Sequence, residues 1–182
     1  MTRTVYYAAT TLDGFLADVN DSLAWLFVQD IDDEGPMGYG SFIPGIGALA
    51  MGATTYEWLL GHQAETGEPW PYQVSTWVFT HRDLPAVDGA DVRFVSGDVA
   101  ATYAEVAASA GERDVWVVGG GDLAAQFAEA GHLDEMITSI APVTLGAGRP
   151  LFPRRWDFRL VDLARNGAFA CARYEVVGPL TV

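Results

Sequence analysis

The stretch Val115 to Phe127, reading VWVVGGGDLAAQF, constrains the fold more than any other part of the chain. Val115, Trp116, Val117 and Val118 make an apolar run with no polar alternation, which suits a strand buried on both faces. Gly119, Gly120 and Gly121 tolerate backbone angles closed to other residues and, without Cβ atoms, let another group approach the main chain. A helix starting near Asp122 leaves its first amide N–H groups unpaired toward that turn, with the positive end of its dipole aimed the same way. Two readings follow, a phosphate-binding turn or a tight structural turn. The spacing is not that of a nucleoside-triphosphate P-loop, and it lacks the last glycine of G-x-G-x-x-G. Asp122 suits an N-cap, but its charge opposes a phosphate at close range.

A chain of 182 residues, 50% hydrophobic, fits one domain spanning 1–182 with a sizeable core. Its formal charge is −14, from 24 acidic and 10 basic residues, and every basic residue is arginine. Such a surface repels nucleic acid and anionic membranes, so the expected partner is a small-molecule substrate, with no nucleic acid and no membrane. Any anionic ligand must be held by backbone amides and one or two placed arginines. No basic leader or long apolar segment is present, which predicts a cytoplasmic protein. His62, His81 and His132 are scattered and the one cysteine, Cys171, has a core-like context, so no metal site is expected. There is no G-x-S-x-G elbow for hydrolytic chemistry.

Along the chain, strands are expected at Thr4 to Ala9, Ala48 to Gly52, Ser75 to Thr80, Val92 to Val95 and Glu135 to Ile140, the first in the middle of the sheet. Short helices are expected over Leu23 to Phe27, Met37 to Ile43 and Tyr56 to Leu60, the last capped by Thr54 and Thr55. An alanine-rich helix capped by Asp98 runs to Ala110, and Gly61 to Tyr72 reads as a surface loop. Phe158 to Ala164 and Ala168 to Val176 read as two strands around a turn at Asn166-Gly167. Alternating β and α units that close with an antiparallel hairpin predict a three-layer α/β/α domain with a mixed, mostly parallel central sheet.

The ordered set TLDGFLAD, LAMGATTYEW, VFTHRDLP, VWVVGGGDLAAQF and PVTLGAGRPLFP resembles the dihydrofolate reductase superfamily. The resemblance is closest to the branch with the reductase domain of riboflavin-biosynthesis deaminase/reductase proteins, and it spans nearly the whole chain. It implies NADPH bound across the carboxyl ends of the strands, with NADH as the alternative because Ala53 stands where members often carry a basic residue. Carried over by position, Ala9 would meet the nicotinamide carboxamide and Leu16 the ring. Gly52, Thr54 and Thr55 would face Gly119, Gly120, Gly121 and Leu123 across the pyrophosphate, and Thr80, His81 and Arg82 would take the adenosine, with Arg82 on a 2′-phosphate.

The catalytic carboxylate of dihydrofolate reductases falls on Ser22 here, with Asp21 one residue away as the acid, and Thr138 matches the threonine that supports that carboxylate. Trp25, Trp58, Trp70 and Tyr72 are candidates to line a substrate pocket for a planar ring together with Thr138; core packing explains Trp58 at least as well, and Trp25 is the better candidate. Arg149, Arg154 and Arg155 suit either an anionic substrate group or a solvated surface. The resemblance thus implies an NAD(P)H-dependent reductase acting on a C=N or C=O bond of a pterin- or ribosylaminopyrimidine-like heterocycle. The alternative is a noncatalytic nucleotide-binding module that keeps the fold without turnover. A homodimer is left open, since relatives of this branch pair through the sheet edge or the closing hairpin.

Overall fold

Eight strands build one sheet in the order β5-β4-β3-β6-β1-β7-β10-β9. They are β1 (Thr4–Thr11), β3 (Ile46–Gly52), β4 (Ser75–Phe79), β5 (Val92–Val95), β6 (Asp114–Gly119), β7 (Glu135–Ala141), β9 (Trp156–Asn166) and β10 (Phe169–Pro179). The computed structural model describes residues 2–181. From β5 through β7 the neighbours are parallel, and β10 and β9 close the sheet antiparallel. β1, expected in the middle, lies between β6 and β7. Two short strands, β2 (Phe15–Ala17) and β8 (Arg149–Pro150), pair separately. This is the mixed, mostly parallel α/β architecture anticipated from the sequence.

Strand alternation decides which helices cover which face. On one face Tyr6, Ala50 and Val117 pack under α5 (Gly121–Glu129), and Ala48 and Val115 pack under α4 (Val99–Ala110). On the other, Leu49, Met51 and Trp116 meet α2 (Tyr39–Phe42) and α3 (Ala53–Thr66). The remaining helix, α1 (Ala24–Phe27), is a single turn with no buried residue. α4 is capped as expected, with Asp98 Oδ1 accepting from the Ala101 amide at 2.7 Å. α5 has no side-chain cap at all. Its hold comes from packing: Phe127 is wholly buried, which is worth on the order of 2–3 kcal/mol against about 1 for a cap.

Several boundaries differ from expectation. α3 starts at Ala53 with Gly52 as its N-cap, so Thr54 and Thr55 lie inside the first turn instead of capping it. It runs on to Thr66 and stops at Gly67, whose φ of 73° ends the helix in the left-handed conformation. Half of the supposed loop from Gly61 to Tyr72 is therefore helix, and Trp70 is buried edge-on against Tyr56. The cap of α5 is likewise Gly120 and not Asp122. α2 is shorter than the expected helix and passes into a 3-10 turn at Ile43–Gly45.

The closing hairpin turns at Gly167 and Ala168, one residue later than predicted. Asn166 is drawn into the last β9 position because its buried side chain is engaged elsewhere. Its Oδ1 accepts from the Asp32 amide, and its Nδ2 donates to the Asp32 and Pro36 carbonyls. These bonds clip the acidic 30–36 segment onto the hairpin. Among the described residues, no helix is long and apolar enough to cross a membrane.

Candidate active-site cleft

A cleft of about 790 Å³ opens at the carboxyl ends of β1, β3, β4 and β6. Two strand-glycine-helix corners form its floor. At the first, Gly52 ends β3 and caps α3; at the second, Gly119 ends β6 with φ 151°, followed by a cis peptide to Gly120. A Cβ built on Gly52 would sit 3.9 Å from the Gly119 oxygen and the Gly120 nitrogen, so the corners adjoin. Both helices therefore begin at one place, with the unpaired amides and positive dipole ends of α3 and α5 directed into the same cleft.

The three consecutive glycines do different work. A Cβ on Gly120 would meet nothing within 4 Å, whereas one on Gly121 would strike the Leu151 and Pro150 carbonyl oxygens at 2.3 and 2.4 Å. Gly120 leaves space, while Gly121 lets the chain after β8 cross over the start of α5.

β2 and β8 roof the cleft, and the loops at their ends are tied together. The Thr11 hydroxyl donates to Asp13 at 2.6 Å, and Asp13 accepts from the Leu145 and Gly146 amides. These bonds, the Thr11 hydroxyl first, hold the exposed Asp13 carboxyl below the usual carboxylate range. Gly148 is required where a Cβ would meet the Ala17 oxygen at 2.0 Å.

Of the residues singled out in the sequence, Ala9, Leu16, Gly52, Thr54, Thr55, Thr80, His81, Gly119, Gly120, Gly121, Leu123 and Asp21 line the cleft. Arg82, Trp25 and Thr138 do not. The Arg82 guanidinium is closed on Glu57 by two bonds of 3.0 and 2.8 Å. Trp25 points away: its indole N–H donates to the Leu16 carbonyl and its ring packs with Ala141, Phe169 and Cys171. Leu23 and Leu26, three residues apart and on the other side of the α1 turn, face the cleft in its place, joined by Trp58 from α3.

Thr138 is one register position from the expected face. It pairs with Ala8, and Ser139 pairs with Ala9. Since residues two apart share a face, Thr138 lies with Met136 on the α5 side, where its buried hydroxyl has no partner. Ser139 lies on the side of Ala9 and contacts the Cys171 thiol at 3.5 Å.

Asp21 is in place but not free. Its carboxylate takes Arg149 Nε at 2.5 Å and Nη2 at 3.0 Å. That pairing holds the Asp21 carboxyl below its ordinary value, so it is ionised at neutral pH and has no proton to give. Ser22 is used locally, its hydroxyl accepting from the Ala24 amide at 3.2 Å. Tyr7, also on the wall, donates to the Met37 carbonyl at 3.0 Å, and burial pushes its phenol up to about 12.

Trp58, Tyr72 and Arg149, each weighed in the sequence against a packing or surface role, are on the wall, and sequence reasoning missed Tyr7, Leu26 and Ser96 there. One signal was available for Ser96, which follows β5 as Thr80 follows β4. Among the described residues, no group of three His, Cys, Asp or Glu side chains is placed to hold a metal ion.

A cleft at the carboxyl ends of parallel strands, floored by two helix N-termini, is the arrangement of open α/β ligand-binding proteins. The chain belongs to the RibD C-terminal domain family, whose sequence model matches residues 70–167. It is 33% identical over 151 residues to the uncharacterized protein YwjB of Bacillus subtilis, with 82% of each chain covered. A crystal structure of a Shewanella sp. PV-4 protein, associated by name with riboflavin biosynthesis, superposes with a TM-score of 0.80 at 23% identity, covering 96% of this chain and 99% of that one. Dihydrofolate reductase from Enterococcus faecalis, solved in complex with NADP(H) and RAB-propyl, superposes with a TM-score of 0.56 at 15% identity over 96% of each chain. The architecture is thus the dihydrofolate reductase-like fold.

Proposed function

We propose that this protein is an NAD(P)H-dependent reductase that delivers hydride to a C=N or C=O bond of a small pterin- or ribosylaminopyrimidine-like heterocycle. The observation that carries this reading is the convergence of the α3 and α5 N-termini on one cleft in a chain of this family. The residues fit a dinucleotide. Gly120 leaves open space beside two sets of free amides, which suits a diphosphate without any lysine. Thr80, His81 and Ser96, after β4 and β5, would take the adenosine. Ala9 and Leu16 would border the nicotinamide. Bound there, the reduced nicotinamide would supply the hydride.

The chain's own part is to bind, orient and exclude water. The β2–β8 roof, held by Asp13 and the Asp21–Arg149 pair, covers the reacting region. With Asp21 ionised and Tyr7 committed to Met37, the proton at the accepting atom comes from water or from the substrate itself. NADPH is the expected cofactor and NADH the alternative. Exposed Leu160, Val161 and Leu163 on the edge strand β9 suit pairing of two copies through the closing hairpin, which a molar-mass measurement in solution checks.

Titration with NADPH and NADH, read by quenching of Trp58 and Trp116 in the cleft wall, tests the cofactor reading. Saturable binding followed by cofactor oxidation with a heterocyclic C=N or C=O substrate is expected. The closed Asp21–Arg149 pair favours a second reading, a nucleotide-binding module without turnover. Tight cofactor binding with no oxidation above background across pterins, aminopyrimidines and carbonyls would select it.

A further inference from the structure

Between α1, α3 and β1 the cleft is walled by Tyr7, Leu23, Leu26, Trp58, Leu59 and Tyr72, none of which carries a charge at neutral pH. Trp58 is held broadside there: its ring lies near-parallel to His62 at 5.1 Å and to Phe27 at 6.1 Å. That part of the wall offers flat and aliphatic surface, suited to a planar ring.

A phosphate on the substrate would need a cation within reach, because an unpaired anion against an apolar wall is costly. Among the described residues Arg149 is the one arginine on the cleft wall, and its charge is already matched by Asp21. Asp21, two residues before Leu23, takes both its Nε and one Nη. The pair is fixed from both sides. Arg149 is held in β8 against Ala17, and Asp21 adopts φ 62° with its amide donating to the Asp18 carbonyl.

The other charged wall residues do not help. Asp122 is an anion bonded to Arg154, and His81 follows β4, which two strands, β3 and β6, separate from β1. The chain's charge of −14 opposes an added anion at long range.

The geometry points to an uncharged, planar heterocycle without a phosphate group as the substrate, with the Asp21–Arg149 pair as the element that selects against a phosphorylated one. This rests on the reductase reading of the same cleft.

A matched pair of ribosylaminopyrimidines, identical except for a 5′-phosphate, tests it on the full chain, with binding to the NADPH-saturated protein read by calorimetry and turnover read by cofactor oxidation. The unphosphorylated member is expected to be favoured by about tenfold, the cost of setting an anion against an apolar wall whose one arginine is already paired. Asp21→Asn keeps a residue type that accepts positive φ and frees the guanidinium. It is expected to narrow the ratio by roughly threefold or more, through one new charge-assisted contact. A wild-type preference for the phosphate ester, or an unchanged ratio in Asp21→Asn, overturns the inference alone. Failure of both NADPH and NADH to bind in a parallel quench titration overturns the reductase reading and this inference with it.

Discussion

The two glycine corners on the cleft floor look alike in sequence and differ in what limits them. At the β3–α3 corner a single Gly52 suffices, and a side chain there would find only ordinary contacts at 3.9 Å. At the β6–α5 corner Gly119 turns the chain at φ 151° and the Pro150 and Leu151 carbonyls press on Gly121, while Gly120 faces open space. One corner is limited only by the ligand it would face, the other by its own roof as well. An acid near each helix start is also answered by an arginine from elsewhere: Glu57 by Arg82, and Asp122 by Arg154. The charge of each carboxylate is thus neutralised locally, which lowers its opposition to the anion proposed for the cleft.

The largest effect is expected from Gly121→Ala. Its Cβ would meet two backbone oxygens that cannot rotate away, and overpacking of this kind costs on the order of 3 kcal/mol. In a chain of this length that is a melting temperature lower by roughly 6–12 °C. A melting curve matching the parent's would remove the distinction between the corners. Gly120→Val comes next and should behave oppositely. With φ −80° and ψ −178° a valine backbone is allowed, so the protein stays folded. The side chain would fill the space beside the free amides and weaken NADPH by about 100-fold, near 3 kcal/mol. Unchanged affinity in a folded variant would show that Gly120 serves only the turn.

These corners were legible in the sequence because their signals are local: a β-branched or apolar run, a glycine, a helix former. The position of β1 and the Asp98 cap were readable for the same reason. What failed depends on partners far along the chain or on register. Thr138 and Ser139 exchange faces with a slip of one residue, and nothing in ITSI fixes that register except its pairing with β1. Trp25 and Trp58 exchanged roles because the helix phase depends on where α1 and α3 begin, and both begin later or earlier than their capping residues suggested. Arg82 looked free because Glu57, 25 residues back, comes beside it only through the turn of α3.

A smaller effect is expected where the second corner's acid loses its partner. Arg154 donates to Asp122 at 2.9 Å and to Glu129 at 2.8 Å. Arg154→Ala leaves Asp122, in the first turn of α5, with Gln126 as donor but without a cation, close to where the diphosphate would bind. At this exposure the repulsion is screened, and NADPH affinity should fall by roughly threefold to tenfold at low salt, recovering as salt is raised. A salt-independent loss would point to a packing role for the arginine stem instead.

The smallest effect sharpens the comparison at the first corner. Arg82 and Glu57 are both about half exposed, so their pair contributes at most ~1 kcal/mol to stability and Glu57→Gln should leave the fold intact. What changes is the availability of the guanidinium, now bound at both Glu57 oxygens and absent from the cleft wall. Freed beside Thr80 and His81, it can reach toward a 2′-phosphate, and the preference for NADPH over NADH should rise by roughly threefold, one weak charge-assisted contact at a solvated site. Arg82→Ala alone should barely move the ratio, because its charge is already neutralised. The opposite pattern, a ratio that collapses in Arg82→Ala and ignores Glu57→Gln, would mean that the cofactor itself draws Arg82 away from Glu57 on binding. The first corner would then be limited by its ligand through a side chain as well as through its amides.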